Sequence, residues 1–467
     1  MSPLKFLIAG ALQEGSRKMP VIDPSTGEAF IEVPRATTQD IDAAVDAAHQ
    51  AFPAWSTTPI EDRRAVLRAM ADAVEERLEP LAALLTAEQG KPLQFAQLEV
   101  NDLIGFLRFY AECPLPDQVI EDSDVRRVTA SRRPLGVVAA IVPWNFPLAL
   151  LGAKIAPALL MGNSVVAKPA GTTPAATLLL GEIVAGIVPA GVLNIIADAN
   201  DLGAHLTGHA HVRKISFTGS TATGKMVMAS ASDALKRITL ELGGNDAAIV
   251  LDDVDPAAVA MGLFMGAFFN SGQVCIAIKR LYVQRGVYEA ICGALAEIAA
   301  TIPVGPGTQD GVVLGPVQNK AQYDKVRGLI AGAKTQGLII AGADQPDAQG
   351  YLIRPVIVRD IEAGANLVEE EQFGPVLPII CFDDVEDAIR QANASPFGLG
   401  GSVWSGDVAR ARAIAGRIDA GAVWINKHMD VAPHIPFAGS KSSGVGLEWG
   451  QAALAEYGQF TLINEPA

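Results

Sequence analysis

The chain contains little cysteine: its 467 residues include only Cys113, Cys275, Cys292 and Cys381. Four cysteines this far apart do not make the disulfide framework of a secreted domain, and no two of them form a Cys-x-x-Cys metal motif. We therefore predict a reducing compartment, the cytoplasm, for this protein.

Basic residues are scarce beside acidic ones. Lys and Arg number 36 and Asp and Glu number 51, which gives a formal net charge of −15. This charge argues against nucleic acid or an anionic membrane surface as the main partner. It still permits an anionic small molecule, because the N-terminus of a helix can hold a phosphate inside an acidic protein.

The sequence also lacks an uninterrupted apolar run long enough to cross a membrane. Its longest apolar stretch, residues 137–161, is broken by prolines, by Asn145 and by Lys154, and is predicted to be a buried strand, a turn and a helix. The apolar run at residues 6–12 is too short for a secretory signal and has no small-residue cleavage site. We expect neither a transmembrane segment nor a signal peptide.

Short apolar strands alternate with helices along most of the chain. Helices are predicted at residues 38–52 and 59–90, before the strand–helix alternation begins. The predicted strands are 136–142, 163–168, 192–196, 214–218, 238–242 and 247–250. This order is typical of an α/β fold with an open parallel sheet, helices on both faces and a nucleotide-binding layout.

Two further features bear on domain organisation. The alternation resumes after Gly244, where we predict that a second α/β domain begins. Residues 119–133 carry alternating charges and a strand-like stretch that fits neither domain. We predict that they form an arm, paired with the C-terminal residues 458–463.

Cys275 follows the turn Gly272-Gln273-Val274 amid apolar residues. A cysteine in such a place is either a catalytic nucleophile or a small buried side chain that only packs. Its identity alone does not choose between them.

Residues 217–225 are the end of a predicted strand followed by Gly219, Ser220 and Gly224 at a helix start. Backbone N–H groups at the positive end of a helix dipole suit a pyrophosphate, and the Ser220 hydroxyl adds a donor. The glycines have an alternative explanation, since a tight strand-to-helix turn can require them for steric reasons.

Glu241 and Asn145 also have unusual surroundings. Glu241 ends an apolar strand just before Gly243 and Gly244, where a charge is costly unless it is used or paired. A carboxylate beside a cysteine suits a two-step acyl chemistry, in which the thiolate attacks and the carboxylate later activates water. Asn145, held between two prolines and two aromatics, either donates to a developing oxyanion or bonds its own backbone in a turn.

These segments, in this order, resemble the aldehyde dehydrogenase superfamily, and the resemblance covers essentially the whole chain. The matching segments are Asp23-Pro24-Ser25-Thr26-Gly27-Glu28, Pro143-Trp144-Asn145-Phe146-Pro147, Lys168-Pro169, Phe217-Thr218-Gly219-Ser220, Glu241-Leu242-Gly243-Gly244, Gly272-Gln273-x-Cys275, Glu371-x-Phe373-Gly374-Pro375 and Pro436-Phe437-x-Gly439-x-Lys441-x-Ser443-Gly444.

The resemblance implies an NAD(P)-dependent oxidation of an aldehyde to its acid. It implies that Cys275 forms a thiohemiacetal whose oxyanion is held by the Asn145 side chain and the Cys275 backbone N–H. Hydride transfer then leaves a thioester, and Glu241 is the base for its hydrolysis, as in the hydrolytic, non-acylating members. Lys154 and Glu448 match positions of a proton relay, with a structural ion pair as the alternative.

The resemblance implies NAD or NADP as the cofactor. The implied cofactor-binding residues are Trp144, Lys168, Gly171, Gly219, Ser220, Leu242, Glu371 and Phe373. Gly171 replaces a Glu that NAD-preferring members commonly have, which removes repulsion against a 2′-phosphate and leaves Lys168 to attract it. We therefore predict that NADP is accepted alongside NAD. Asp198 replaces a usual glycine and could offset this gain, so the preference between the two stays open.

The resemblance places an apolar substrate tunnel around Phe146, Leu150, Val274, Ile276, Val431 and Phe437. A dicarboxylic semialdehyde would need a fixed Arg or Lys, and none occurs at these positions, where His434 is the polar residue nearby. We predict a neutral aliphatic or aromatic aldehyde; the alternatives are a semialdehyde or amino-aldehyde dehydrogenase, or a thiol esterase. We predict no metal site, because His205, His209 and His211 lie in a polar connection without nearby carboxylate or cysteine partners.

The resemblance also implies the domain organisation. The nucleotide-binding domain is predicted to comprise residues 1–116, 134–243 and 430–450, and the catalytic domain residues 244–429. Residues 117–133 and 451–467 form the predicted oligomerisation arm. We expect a homodimer or homotetramer, because the arm's strands would otherwise expose unpaired edges.

Overall fold

The computed structural model describes residues 3–115, 117–345 and 349–467. The strands in chain order are β1 (Phe6–Ile8), β2 (Ala11–Gln13), β3 (Arg17–Asp23), β4 (Glu28–Arg35), β5 (Gln118–Asp122), β6 (Arg126–Pro134), β7 (Val137–Ile141), β8 (Ser164–Lys168), β9 (Leu193–Ile195), β10 (Val212–Thr218), β11 (Arg237–Glu241), β12 (Asp246–Val250), β13 (Ile278–Gln284), β14 (Leu338–Ala341), β15 (Val356–Arg359), β16 (Val376–Phe382), β17 (Phe397–Gly398), β18 (Gly400–Trp404), β19 (Ala422–Ile425), β20 (Ser440–Lys441), β21 (Gly444–Val445) and β22 (Gly458–Pro466).

The helices in chain order are α1 (Thr38–Thr57), α2 (Ile60–Glu76), α3 (Leu78–Gln89), α4 (Leu93–Glu112), α5 (Pro147–Met161), α6 (Ala175–Val184), α7 (Gly203–Gly208), α8 (Thr221–Ser232), α9 (Pro256–Phe268), α10 (Arg285–Thr301), α11 (Lys320–Ala333), α12 (Asn366–Glu369), α13 (Val385–Asn393) and α14 (Val408–Ala415). Short 3-10 helices span Phe269–Gly272 and Gln451–Tyr457. Among the helices of the described ranges, none combines the length and the apolar character that a membrane crossing requires.

The first sheet has the strand order β2-β1-β9-β8-β7-β10-β11-β21. Its strands β9, β8, β7, β10 and β11 are parallel, and they are the strands predicted between residues 136 and 242. The predicted α/β fold is therefore confirmed. Because the carboxyl ends of parallel strands meet at one edge, the residues that follow β7, β10 and β11 converge there.

The second sheet has the order β14-β15-β16-β13-β12-β18-β19 and is parallel apart from β14. Apolar clusters cover both of its faces, one with α11, α13 and α14 and the other with α9 and α10. The strand predicted at residues 247–250 is β12, in the middle of this sheet.

The third sheet joins the arm to the C-terminus. Strand β22 pairs antiparallel with β6 from Gly458 opposite Pro134 to Pro466 opposite Arg126, and β5 pairs with the other edge of β6. The predicted pairing of residues 458–463 with the arm is confirmed.

The predicted helix at residues 59–90 is two helices, α2 and α3, that meet at Arg77. The prediction of one helix is wrong because Pro80 has no N–H to donate and its ring clashes with the carbonyl four residues earlier, at Glu76. Helix α2 accordingly ends at Glu76. The N-cap of α1 is Thr37, whose side chain accepts from the Asp40 N–H in a capping box.

The predicted division into domains stays a prediction, and its boundary at residue 116 lies outside the described residues. One observation agrees with the predicted return of residues 430–450 to the first domain: β21, which lies in this range, pairs with β11 of the first sheet. The catalytic-domain range contains the strands of the second sheet.

Candidate active site

A cavity of about 1250 Å³ lies at the carboxyl ends of β7, β10 and β11 and is also lined by residues of the second α/β unit. Most of the predicted site residues line it: Cys275, Glu241, Asn145, Glu448, Trp144, Lys168, Gly219, Ser220, Leu242, Glu371, Phe373, Phe146, Leu150, Val274, Ile276, Val431 and Phe437. Lys154 and Gly171 are not among its lining residues. Positions from distant parts of the chain thus meet around one space.

Cys275 lies in the loop that precedes β13. The neighbouring Gln273 side chain holds this loop, donating to the Asn270 carbonyl at 2.9 Å and accepting from the Gln318 N–H at 2.8 Å. Burial raises the pKa of the Cys275 thiol to about 12. A thiol in such surroundings needs a neighbouring base or cation before it ionises near neutral pH.

The backbone ahead of Cys275 is left-handed at three consecutive residues. Asn270, Ser271 and Gly272 have φ values of 50°, 56° and 71°. A Cβ at Gly272 would lie 2.4 Å from the Gly374 carbonyl oxygen, so this position requires glycine. The tight turn carries the chain from α9 to the edge of the cavity.

Asn145 faces the Cys275 loop from the turn between β7 and α5. Its side-chain amide donates to the Gln273 carbonyl at 2.9 Å, and its own carbonyl accepts from Lys91 Nζ at 2.8 Å. The Asn145 side chain therefore donates to the cysteine loop. It does not bond its own backbone, as a turn asparagine would. Since an amide group has two N–H donors, one remains for an oxyanion.

Glu241 is the last residue of β11 and is buried, with 4% of its surface exposed. Neither of its carboxylate oxygens has a hydrogen-bond partner among the described residues. Burial raises the pKa of Glu241 well above the ordinary value, the Glu448 carboxylate raises it further, and Lys154 opposes both. Buried carboxyls are normally paired, so an unpaired one at a cavity is a candidate general base.

Lys154 and Glu448 form a fully buried ion pair at 2.5 Å. Ser216 joins them: its hydroxyl donates to Glu448 Oε1 at 2.8 Å and lies 3.1 Å from Lys154 Nζ. The second Glu448 oxygen has no partner among the described residues, and Glu448 lines the cavity. Sequence reasoning missed Ser216, because a serine in a buried strand has no local signal.

At the end of the cavity that is predicted to bind the cofactor, Lys168 has a charged partner. Its ammonium is paired with the Asp198 carboxylate at 2.5 Å, and both side chains are buried. Asp198 therefore balances the charge that Lys168 would offer to a 2′-phosphate, which is the offset expected of this carboxylate, and the preference between NAD and NADP stays open. A Cβ at Gly171 would lie 2.6 Å from the Asp198 carbonyl oxygen, so this loop leaves no space for the larger side chain.

Ser220 caps the start of α8, and Gly224 lies in its first turn. Ser220 is the N-cap, and its hydroxyl accepts from the Thr223 N–H at 3.2 Å. A Cβ at Gly224 would lie 2.4 Å from Leu242 Cδ2, which explains that glycine by packing. The Gly219 N–H already donates to the Glu241 carbonyl and is not available to a ligand. The donors for an anion are therefore the free N–H groups at the start of α8.

Glu371 and Phe373 face the cavity from the segment before β16. Glu371 Oε1 accepts from the Gly244 N–H at 3.0 Å, and Phe373 packs edge-on against Trp144 at 5.3 Å between ring centroids. A Cβ at Gly243 would lie 2.5 Å from Glu371 Oε2, so that glycine lets the carboxylate approach the strand end. These residues fit a dinucleotide: a capped helix end for its pyrophosphate, a carboxylate for a ribose and aromatic faces for the ring.

The opposite end of the cavity is largely aromatic. Phe106 and Phe437 both contact Trp449, at 5.7 and 4.6 Å between ring centroids. Asp102, one turn before Phe106 on α4, also lines this end and is exposed. Sequence reasoning missed Asp102 and chose His434, which is not among the lining residues, because α4 is distant in sequence from the motifs.

The three histidines near α7 do have carboxylate neighbours, contrary to the prediction. His205 Nε2 lies 2.6 Å from Asp42, and His211 Nδ1 lies 3.1 Å from Asp46. Both aspartates come from α1, which packs against α7. Only the premise that these histidines have no carboxylate partners was wrong, because the partners are separated from them by more than 160 residues in sequence.

Comparison with known proteins gives one consistent result. The sequence model described as the aldehyde dehydrogenase family matches residues 12–463. Phenylacetaldehyde dehydrogenase of Pseudomonas fluorescens is 39% identical, over 97% of this chain and 94% of that protein. The NADP(+) succinate-semialdehyde dehydrogenase of Escherichia coli strain K12 is 36% identical, over 94% of this chain and 92% of that protein. The NAD+ complex structure of an aldehyde dehydrogenase from Bacillus cereus superposes with a TM-score of 0.97 at 33% identity, covering 100% of this chain and 97% of that one.

Proposed function

The chain belongs to the aldehyde dehydrogenase family and oxidises an aldehyde to its acid with NAD or NADP, and we propose that Cys275, Asn145 and Glu241 carry out this reaction. The observation that carries the proposal is their meeting at one cavity. The test is to follow the absorbance of reduced cofactor with aliphatic, aromatic, amino and carboxylate aldehydes, using NAD and NADP separately. Aldehyde-dependent formation of reduced cofactor is expected. Ester cleavage without any reduced cofactor would favour the thiol esterase instead.

In the proposed mechanism, the thiolate of Cys275 adds to the aldehyde carbon. The resulting oxyanion accepts hydrogen bonds from the Asn145 side chain and the Cys275 N–H. NAD or NADP, held by the residues at the other end of the cavity, would supply the hydride acceptor for the oxidation of that carbon. Cys275 then holds the acyl group as a thioester, and Glu241 removes a proton from the water that attacks it. The acid leaves, and the thiolate is restored.

The proton that Glu241 takes must leave a buried site. Lys154 and Glu448 are proposed to pass it on, because Glu448 lines the cavity and its charge acts directly on Glu241. An ion pair that only stabilised the fold would not need a carboxylate oxygen free of hydrogen bonds beside the base.

The residues proposed to hold the dinucleotide are those at the cofactor end of the cavity. Ser220 and the start of α8 hold the pyrophosphate, and Lys168 the adenosine ribose. Glu371 holds the nicotinamide ribose, while Phe373, Trp144 and Leu242 enclose the ring; Gly171 and Gly219 allow the close approach of backbone. Both NAD and NADP are accepted.

The ion pair between Lys168 and Asp198 should control the preference between the two cofactors. Asp198→Asn keeps one side-chain oxygen to accept from the Leu202 N–H, loses the acceptor for the Asn200 N–H, and removes the charge that balances Lys168. The ratio of kcat/KM for NADP to that for NAD is expected to rise by about tenfold, since 1.4 kcal/mol of added attraction suffices. The measurement is steady-state kinetics with each cofactor.

The double variant Asp198→Asn with Lys168→Met is the control for this prediction. Its cofactor ratio should return to near that of the wild type, because the gain depends on the freed ammonium. A gain that persists without Lys168 would show that the ion pair is not the cause.

We propose a neutral aliphatic or aromatic aldehyde as substrate, on the basis of the apolar and aromatic lining. Asp102 favours an amino-aldehyde as the second candidate, because a carboxylate at the open end of the tunnel attracts a cation and repels an anion. It disfavours the semialdehydes whose distal group is a carboxylate.

Asp102→Asn should therefore change the ranking of aldehydes by charge. We expect kcat/KM for a carboxylate aldehyde to rise several-fold, that for an amino-aldehyde of equal length to fall several-fold, and that for a neutral one to stay constant. Asp102 is exposed as a residue, but the cavity wall partly desolvates its carboxyl group; this desolvation and the nearby Glu99 raise the pKa of Asp102 to about 6, while Lys91 opposes them. The wild-type discrimination should consequently weaken as the pH falls through about 6, because the carboxyl becomes neutral.

Glu112→Gln is the matched control for Asp102→Asn. Glu112 ends the same helix, lies outside the cavity lining and pairs with Arg68. It should leave the ranking by charge unchanged, so an equal effect of both variants would count against a role for Asp102.

We propose a homodimer or homotetramer that assembles through the third sheet. Exposed apolar side chains on its strands support this: Val119, Ile120, Phe460, Leu462 and Ile463. Apolar residues on an exposed sheet are a surface that a second copy commonly covers. The cytoplasm remains the proposed compartment, on the basis of four cysteines that are all free thiols.

A further inference from the structure

Lys279 is a buried cation four residues after Cys275. It lies in β13, and only 2% of its surface is exposed. An ammonium group buried to this extent is unfavourable unless anions or carbonyl oxygens surround it. Its position is therefore explained by what it contacts.

Lys279 contacts both the loop of the proposed nucleophile and a residue proposed to bind the cofactor. Its Nζ donates to the Cys275 carbonyl oxygen at 2.5 Å and lies 3.3 Å from Glu371 Oε1. The same ammonium lies 5.9 Å from the centroid of the Phe373 ring. One cation thus touches the backbone of the proposed nucleophile and the carboxylate proposed to hold the nicotinamide ribose.

The charges around the Cys275 thiol are unbalanced without Lys279. Burial is the largest influence that raises the pKa of the thiol, and the carboxyl groups of Asp246, Glu371 and Glu241 all raise it further. Lys279 is the cation that lowers it. Asp246 is itself buried, and its pKa is raised to about 7, chiefly by burial, so its carboxyl group is partly ionised near neutral pH and becomes fully charged only above it.

We propose that Lys279 is a positioning residue that keeps Cys275 ionisable, by holding a positive charge against its backbone carbonyl amid three carboxyl groups. This inference rests on the proposed function, in which Cys275 is the nucleophile. The ammonium stabilises the thiolate relative to the thiol, and the thiol proton leaves to solvent or to a neighbouring carboxylate. Because the thiolate is the reactive form, the charge on Lys279 sets how much nucleophile is present before any ligand binds.

The test is the pH dependence of Cys275 alkylation by iodoacetamide in the enzyme without cofactor. The thiolate displaces iodide and forms a thioether, and the mass of the Cys275 peptide separates this reaction from that of the other cysteines. In Lys279→Met the apparent thiol pKa should rise by about one unit, so alkylation slows about tenfold at a pH below it. Lys279→Arg should behave like the wild type.

Lys279→Gln separates charge from hydrogen bonding. Glutamine can still donate to the Cys275 carbonyl but is neutral, so it should alkylate as slowly as Lys279→Met. Glu371→Gln should shift the thiol pKa in the opposite direction, because it removes a negative charge. A wild-type profile in Lys279→Gln would overturn the proposal, and if Lys279→Met does not fold, the Gln and Arg variants decide the outcome alone.

The same reaction distinguishes this inference from the proposed function. Alkylated wild-type enzyme should no longer form reduced cofactor. If alkylation of Cys275 leaves activity intact, the proposed nucleophile is wrong; if activity is lost but the Lys279 variants share the wild-type profile, only the role of Lys279 is wrong.

Discussion

Cys275→Ala should abolish the aldehyde-dependent formation of reduced cofactor, with kcat falling by about 10⁴-fold or more. The thiohemiacetal and the thioester both require a bond to the Cys275 sulfur, and among the described residues that line the cavity there is no second cysteine. The measurement is cofactor absorbance under saturating aldehyde, with single-turnover assays to detect residual chemistry.

Two controls separate chemistry from folding in this experiment. Cofactor binding to Cys275→Ala, followed by fluorescence titration, should be close to that of the wild type, because the sulfur is not among the proposed dinucleotide contacts. Cys381→Ala changes another incompletely buried free cysteine, which lies in β16 away from the cavity lining, and should keep full activity. Undiminished turnover in Cys275→Ala would show that the covalent mechanism is wrong.

Glu241→Gln should separate the two halves of the reaction. The amide has the shape of the carboxyl but cannot accept the proton of the attacking water, so steady-state turnover should fall by about 10²- to 10⁴-fold. Thiohemiacetal formation and oxidation do not need this base in the proposed mechanism. We therefore expect a burst of about one reduced cofactor per site, followed by near arrest.

The arrested Glu241→Gln enzyme should carry an acyl group on Cys275. Intact-protein mass spectrometry should detect the added mass, and hydroxylamine should release it by attacking the thioester. An enzyme without a burst would instead place Glu241 at the first step, as the group that ionises the thiol.

The pH dependence provides a second check on Glu241. Burial and Glu448 raise the pKa of this carboxyl, so it stays protonated, and inactive as a base, to a higher pH than an exposed glutamate. The rate of thioester hydrolysis in the wild type should consequently rise with pH as the carboxylate forms. The slow hydrolysis in Glu241→Gln should lack this dependence.

The parts of the protein that were predicted correctly are those with local causes. The strand–helix alternation follows from apolar runs and helix starts that a few adjacent residues encode, and the parallel sheet forms from them. Cys275, Glu241 and Asn145, whose catalytic roles remain a proposal, could be singled out because each is a chemically unusual residue in an apolar or glycine-rich setting. The prediction of one helix at residues 59–90 was wrong although its cause is also local, because a proline inside a helix breaks it and Pro80 is present in the sequence.

Only the tertiary structure shows which charged residues lie next to one another around the site. Asp198 neutralises Lys168, Asp102 marks the open end of the tunnel, and Asp42 pairs with His205 from another helix. Most of these partners lie far from the motifs in sequence, and electrostatic interaction depends on distance in space.

Sequence by itself determined the α/β fold, the order of its strands along the chain and which groups we propose to react. Only the folded chain determined how ionisable those groups are, because burial and neighbouring charge set a pKa. Lys279 shows the difference most clearly. Its separation of four residues from Cys275 was always visible, but its burial between the Cys275 carbonyl and Glu371 exists only once β13 and the segment before β16 have packed together.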